Sequence, residues 1–177
     1  YCWGLNKDGQ LGDGTKADRA TPQVIIASGA TRIAAGEDFA CVLGAAGLVS
    51  CWGKNDKGQL GNGTKTDHNV PGLVSGGLAF YSLTAGGKHT CALSATGAAY
   101  CWGLNADGEL GDGTTTDRLV PTTVQGSTLF ATVNAGGLHT LAVTPAGAGY
   151  GWGRDASGQI GTGTTSAKLT PAAILEP

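Results

Sequence analysis

Two cysteines ten residues apart recur along this sequence and then vanish together. The stretch "FACVLGAAGLVSCWG" (Phe39 to Gly53) carries Cys41 and Cys51, and "HTCALSATGAAYCWG" (His89 to Gly103) carries Cys91 and Cys101. In the near copy "HTLAVTPAGAGYGWG" (His139 to Gly153), Leu141 and Gly151 stand in their places. Thiols so spaced support two chemistries. One is a disulfide across a hairpin; the other is a zinc site with His89, which shares a strand face with Cys91. Joint loss favours the bond, because half a bond has no use, and Phe39 at the histidine position speaks against zinc. Counting outward from the turns at Ala45–Gly47 and Ala95–Gly97 sets Cys41 opposite Cys51 and Cys91 opposite Cys101. Opposed antiparallel positions lie within bridging distance. Two disulfides are therefore expected, with no metal and no cofactor, and an oxidising, extracellular compartment. Cys2 is left over. Its partner is expected about ten residues upstream, which would make the chain a piece of a longer protein.

Other side chains invite catalytic readings and lose them on inspection. His89 and His139 are candidates for a general base, but every acid or nucleophile near them recurs in register with the repeats. Their expected role is core packing. The loops "NKDGQLGDGT" and "NADGELGDGT" carry Asp8, Asp13, Asp107 and Asp112, oxygen ligands of a kind calcium favours. Their spacing misses the EF-hand loop, and Asp and Asn beside Gly are ordinary turn chemistry. No phosphate-cradling G-x-x-x-x-G-K-[ST] occurs. After each loop comes a variable stretch: "KADRAT", "KTDHNV", "TTDRLV", "TSAKLT". Asp18, Asp67 and Asp117 recur there, with Ala167 in the fourth copy; Arg19, His68, Arg118 and Lys168 form a partly cationic series. These positions read either as a solvated rim or as a partner-binding rim. "NGT" at Asn62–Thr64 is a glycosylation acceptor only in a host that glycosylates.

The elements that position these groups follow from repetition. Trp3, Trp52, Trp102 and Trp152 stand about fifty residues apart, and Pro22, Pro71, Pro121 and Pro171 keep the same step. The copies run approximately over 1–49, 50–99, 100–149 and, partially, 150–177. Each contains a Gly/Asn/Asp loop, a proline followed by a short β-branched run such as "PQVII", a second short run ("TRIAAG") and a hairpin whose three-residue turn ends in glycine. Four short strands per repeat is the pattern of propeller blades. The fold expected is all-β: one domain of about three and a half four-stranded blades, an incomplete ring or a fragment of one. A tryptophan at the same place in every blade reads as packing between blades, so all four are expected in the core.

Composition sets the outer limits. The chain has 177 residues, 32 of them glycine, with 41% hydrophobic residues and a formal net charge of −2. So much glycine without a collagen period means many tight turns. The charge gives no basic footprint for nucleic acid, and no apolar run approaches the roughly 20 residues of a membrane-spanning helix.

The W-G-x-N-x-x-G-Q-L-G-x-G-T, P-x-x-V and A-G-x-x-H-T-x-A-L-x-x-x-G stretches resemble regulator of chromosome condensation repeats. In that family about seven repeats close a ring-shaped propeller, so the resemblance implies an arc of half that number. Such an arc would be completed by more chain or by further copies, and would associate when expressed alone. Some members exchange nucleotide on a small GTPase and bind chromatin; no basic tail or long insertion of that kind is present here. The plant ultraviolet-B photoreceptor carries light-sensing tryptophans in G-W-R-H-T motifs, where this sequence reads "GGKHT" and "GGLHT". Secreted bacterial members with a cysteine before W-G are the best match. The resemblance implies an extracellular interaction or structural scaffold that binds another protein or further copies of itself, with no catalysis of its own. A polysaccharide-acting enzyme domain and an exchange-factor-like propeller are the alternatives.

Overall fold

The computed structural model describes residues 1–26 and 28–175; Ala27, Glu176 and Pro177 lie outside the described residues. The described chain contains β-strands and turns and no helix. Its strands are β1 (Cys2–Gly4), β2 (Arg19–Gln23), β3 (Ala30–Ala35), β4 (Phe39–Gly44), β5 (Val49–Gly53), β6 (His68–Leu73) and β7 (Phe80–Ala85). There follow β8 (His89–Ser94), β9 (Ala99–Gly103), β10 (Arg118–Thr123), β11 (Thr132–Ala135), β12 (His139–Val143), β13 (Gly149–Gly153) and β14 (Lys168–Ala173). Each sheet uses consecutive strands: β1-β2, β3-β4-β5-β6, β7-β8-β9-β10 and β11-β12-β13-β14, every pair antiparallel. This is one half-blade followed by three full blades of a propeller. The sheets begin in mid-repeat, at the run before the hairpin rather than at Trp-Gly.

Local chemistry explains the strands. At each hairpin turn glycine takes positive φ (Gly47 79°, Gly97 86°, Gly147 90°), closing a type I turn through bonds such as Gly97 N–H to Ser94 O at 2.8 Å. The last strand of each blade differs from expectation. It starts three residues before its proline, at His68, Arg118 and Lys168, and ends before most of the β-branched run that follows. Proline cannot donate to a ladder, so it is accommodated where one strand edge has no partner, and β6, β10 and β14 are all outer strands.

The core sits in the seams between blades. One apolar cluster joins Phe39, the Cys41/Cys51 pair and Leu60 to Phe80, Leu83, Ala92 and Trp102 of the next blade. The following seam repeats it with Cys91/Cys101, Leu110, Phe130, Val133, Ala142 and Trp152. Phe80 lies edge-on to Tyr100 at 5.7 Å, and Phe130 to Tyr150 at 5.8 Å. Burying these rings contributes on the order of 2–3 kcal/mol each. The first strands of successive blades, β3, β7 and β11, converge on one another.

Candidate functional site

The seam side chains are placed as follows. Cys41 and Cys51 face each other across β4 and β5, and Cys91 and Cys101 across β8 and β9, with sulfurs 2.08 and 2.10 Å apart. Cys2 carries no bond; its thiol is half-buried, and that burial pushes its pKa up. The indole N–H of Trp52 donates to Gln10 O, and that of Trp102 to Gln59 O, both at 3.0 Å. Each ring is thereby tied to the loop of the preceding repeat. Trp152 is equally buried, but its N–H has no partner. Trp3 departs from the expected core placement at 59% exposure: among the described residues no loop of a preceding repeat covers it.

The two histidines also separate. His89 is fully buried and its Nε2 lies 3.0 Å from the Thr140 hydroxyl of the next blade. Burial, helped by the nearby His139, lowers its pKa to about 4, so the ring is neutral near pH 7. Thr140 passes the contact on by donating to Glu109 O at 2.9 Å. His139, expected in the core, is only half-buried. Among the described residues no following blade provides the equivalent threonine.

The glycine-rich loops, residues 5–18, 54–67, 104–117 and 154–167, are organised by a buried side chain that spacing alone did not single out. Asn105 Nδ2 donates to Asp112 Oδ1, Thr114 O and Thr116 O, each at 3.1 Å, while its Oδ1 accepts from Leu110 N–H at 3.0 Å. Asn6 and Asn55 make the same set. The signal was present: asparagine recurs at the second place after Trp-Gly in three copies. Most of the expected rim residues serve these loops. Asp18, Asp67 and Asp117 accept the backbone N–H of Asn6, Asn55 and Asn105. Arg19 pairs with Asp13 at 2.7 Å and Arg118 with Asp112 at 2.6 Å. Hydrogen bonds from Thr15 and then Arg19 hold the Asp13 carboxyl well below the usual range. Burial raises Asp112, but bonds from Thr114 and Arg118 outweigh it and leave that group lowered too. His68 Nε2 lies 3.4 Å from Asn62 Nδ2, and Lys168 Nζ donates to Thr164 Oγ1 at 2.7 Å. These loops also dock on the next blade, as where Gly63 N–H donates to Leu119 O at 2.8 Å.

Charge is segregated. Apart from Arg32, every Asp, Glu, Lys and Arg among the described residues lies at one end of the strands. Each is in the loops just named, in the short turns after β3 and β7, or on the first residue of an outer strand (Arg19, Arg118, Lys168). Among the described residues, the opposite face, made of the hairpin turns and blade-to-blade connections, carries none. On the charged side Lys57 and Lys65 both reach Asp117 Oδ2, at 3.7 and 3.8 Å. Near the convergence of β3, β7 and β11, a shallow cleft of about 660 Å³ is floored by Gly36, Gly86, Gly87 and Gly136 and edged by Glu37 and Lys88.

The family model described as Regulator of chromosome condensation (RCC1) repeat matches residues 1–43, 46–93 and 96–143. The chain belongs to the RCC1 repeat family. A second model of RCC1 repeats matches residues 30–59 and 80–109. No curated protein matches the sequence. Among solved structures, human WBSCR16 superposes with a TM-score of 0.88 at 25% identity, over 99% of this chain and 48% of that one. Yeast RCC1 (Prp20), in its complex with Kap60, gives 0.83 at 24% identity over 98% and 44%. Prp20p from Saccharomyces cerevisiae, described together with its binding to Gsp1p and histones, gives 0.81 at 22% identity over 98% and 45%. Similarity at this level shows the RCC1 fold, and the chain spans less than half the length of these relatives. A propeller of RCC1 repeats is an architecture of interaction modules, which accords with seams built by packing and loops built by internal hydrogen bonds.

Proposed function

We propose that this chain is an extracellular protein-interaction scaffold that engages a protein partner through its charged loop face and performs no catalysis of its own. The segregation of charge carries the reading: one face offers charged side chains on loops held by internal hydrogen bonds, and the other offers none among the described residues. Binding concentrates on loops that a rigid scaffold presents. The two cysteine pairs at bonding distance support an oxidising compartment. Protein partners of RCC1-repeat structures, Kap60, Gsp1p and histones, support the class of partner, which here is another protein or a further copy of the chain.

The test places a photo-cross-linking amino acid at exposed Thr66 or Thr116 on the loop face, and at Thr96 or Ser127 on the opposite face. Cross-linking is then carried out in the extracellular fraction. Adducts with a discrete protein are expected from the first pair and not from the second. Adducts only from Thr96 or Ser127 would overturn the assignment of the face.

A further inference from the structure

We propose that the fourth loop, residues 154–167, holds a hard cation of the calcium type in an oxygen cage centred on Asp155. The inference comes from comparing four copies of one loop within one chain, and it stands independently of which face binds protein. In the first three copies an asparagine amide nitrogen sits at the hub, and oxygens converge on it. Asn55 Nδ2, for example, donates to Asn62 Oδ1 at 3.2 Å, to Thr64 O and Thr66 O at 3.0 Å, and lies 3.3 Å from Thr64 Oγ1.

The fourth loop follows the same path. Gly158 N–H donates to Asp155 O at 2.9 Å, Gly161 N–H to Gly158 O at 3.1 Å, and Ile160 N–H to Asp155 Oδ1 at 2.9 Å, matching Gly108, Gly111 and Leu110. At the hub, however, a carboxylate oxygen, Asp155 Oδ2, replaces the amide N–H₂. Asp155 is fully buried. Its Oδ2 accepts one bond, from the Thr162 hydroxyl at 3.2 Å, and Thr162 Oγ1 lies 3.2 Å from Thr164 Oγ1. Among the described residues no donor reaches the carbonyls of Thr164 or Ser166, the counterparts of those that the asparagines satisfy. The loop has also lost its other carboxylates, since Thr162 stands where Asp112 does and Ala167 where Asp117 does.

The buried carboxyl group of Asp155 receives two neutral donors, Ile160 N–H and the Thr162 hydroxyl, and no positive charge, so a cation at the hub would complete its surroundings. Lys168 does not supply it directly. Its ammonium donates to Thr164 Oγ1 at 2.7 Å, on the rim, and among the described residues Asp155 makes no ion pair within 4.0 Å. Asp155 Oδ2 and the hydroxyls of Thr162 and Thr164, with the carbonyls of Thr164 and Ser166 at the loop positions whose carbonyls face the amide in the other copies, would supply the all-oxygen, mixed carboxylate-carbonyl set that calcium takes and softer metals do not. A single carboxylate with a lysine close by sets a weak affinity, Kd of about 10⁻⁴–10⁻³ M. Asp13 and Asp112 in the other loops are occupied by Arg19 and Arg118, and those hubs already hold an N–H donor, so they take no ion.

The experiment uses the intact chain, with calcium chloride and terbium chloride as probes. About 10 mM calcium, set against EDTA, should raise Tm by about 3–5 °C, while magnesium at the same concentration should do little. Terbium should give emission sensitised by the nearby Trp152. Asp155→Asn restores the amide found in the other three loops. It should fold without calcium at a Tm no lower than that of the wild type, and should lose both the calcium shift and the terbium emission. Thr162→Val should weaken binding several-fold. A wild type indifferent to calcium, or an Asp155→Asn variant with the same calcium shift, would overturn the proposal.

Discussion

Leu141 stands directly opposite Gly151 across β12 and β13, at the register where Cys41 faces Cys51 and Cys91 faces Cys101. A Cβ on Gly151 would lie 2.9 Å from Leu141 Cδ2 and 2.5 Å from Ile160 Cγ2. The fourth copy therefore does not merely lack a bond: leucine fills the space of two sulfurs, and glycine makes room for it. Gly151→Ala should cost about 1–3 kcal/mol through overpacking, read as a lowered urea midpoint at unchanged slope. An unchanged midpoint would contradict this account of the paired substitution.

The tryptophans should divide by seam. Trp52→Ala and Trp102→Ala each empty a packed site and remove an indole bond to the preceding loop, and should cost about 3–5 kcal/mol. Trp3→Ala, on an exposed ring, should cost less than about 0.5 kcal/mol. Equal losses at Trp3 and Trp102 in equilibrium unfolding would show that repeat position, rather than the neighbouring blade, decides burial.

Glu109 occupies the place held by Gln10, Gln59 and Gln159 and is fully buried. Its Oε2 accepts from Asp107 N–H at 2.8 Å, and its Oε1 has no partner. Burial raises its pKa, so the folded state holds the proton more tightly than the unfolded chain does. Stability from this group is present below the ordinary glutamate pKa and is lost as pH rises through the shifted one. Glu109→Gln should match the wild type in Tm near pH 4 and exceed it near pH 7. Parallel Tm–pH curves for the two proteins would refute the point.

His89 works in the opposite sense. The unfolded chain takes up its proton near pH 6.5, and the folded state only near pH 4. Its contribution is complete above pH 6.5, is lost as pH falls to about 4, and amounts to roughly 3 kcal/mol over that window. His89→Phe, the residue of the first copy, should flatten the unfolding free energy between pH 6.5 and 4. A slope equal to that of the wild type would place the acid sensitivity elsewhere.

Much of this architecture was legible in the sequence because it repeats. Recurring Trp-Gly, proline and hairpin glycine mark the blades, and the paired loss of Cys91 and Cys101 in the next copy marks their opposition. What failed to show depends on neighbours. Trp3 and His139 carry the same local sequence as their buried counterparts and differ only in lacking a blade alongside. Asp18, Asp67 and Asp117 looked like rim residues because their variable setting hid backbone partners twelve positions earlier. Asp155 passes as one more loop acid until its position is compared with Asn105, where a nitrogen stands.

The reading of the chain as an extracellular scaffold of stacked blades meets its most direct test in the oxidation state of its cysteines. Protein recovered from outside the cell, alkylated without reduction, digested and mapped by mass spectrometry, should contain Cys41 linked to Cys51 and Cys91 linked to Cys101. Free thiols at those four positions, or links that join different hairpins, would contradict both the register of the blades and the compartment assigned to them.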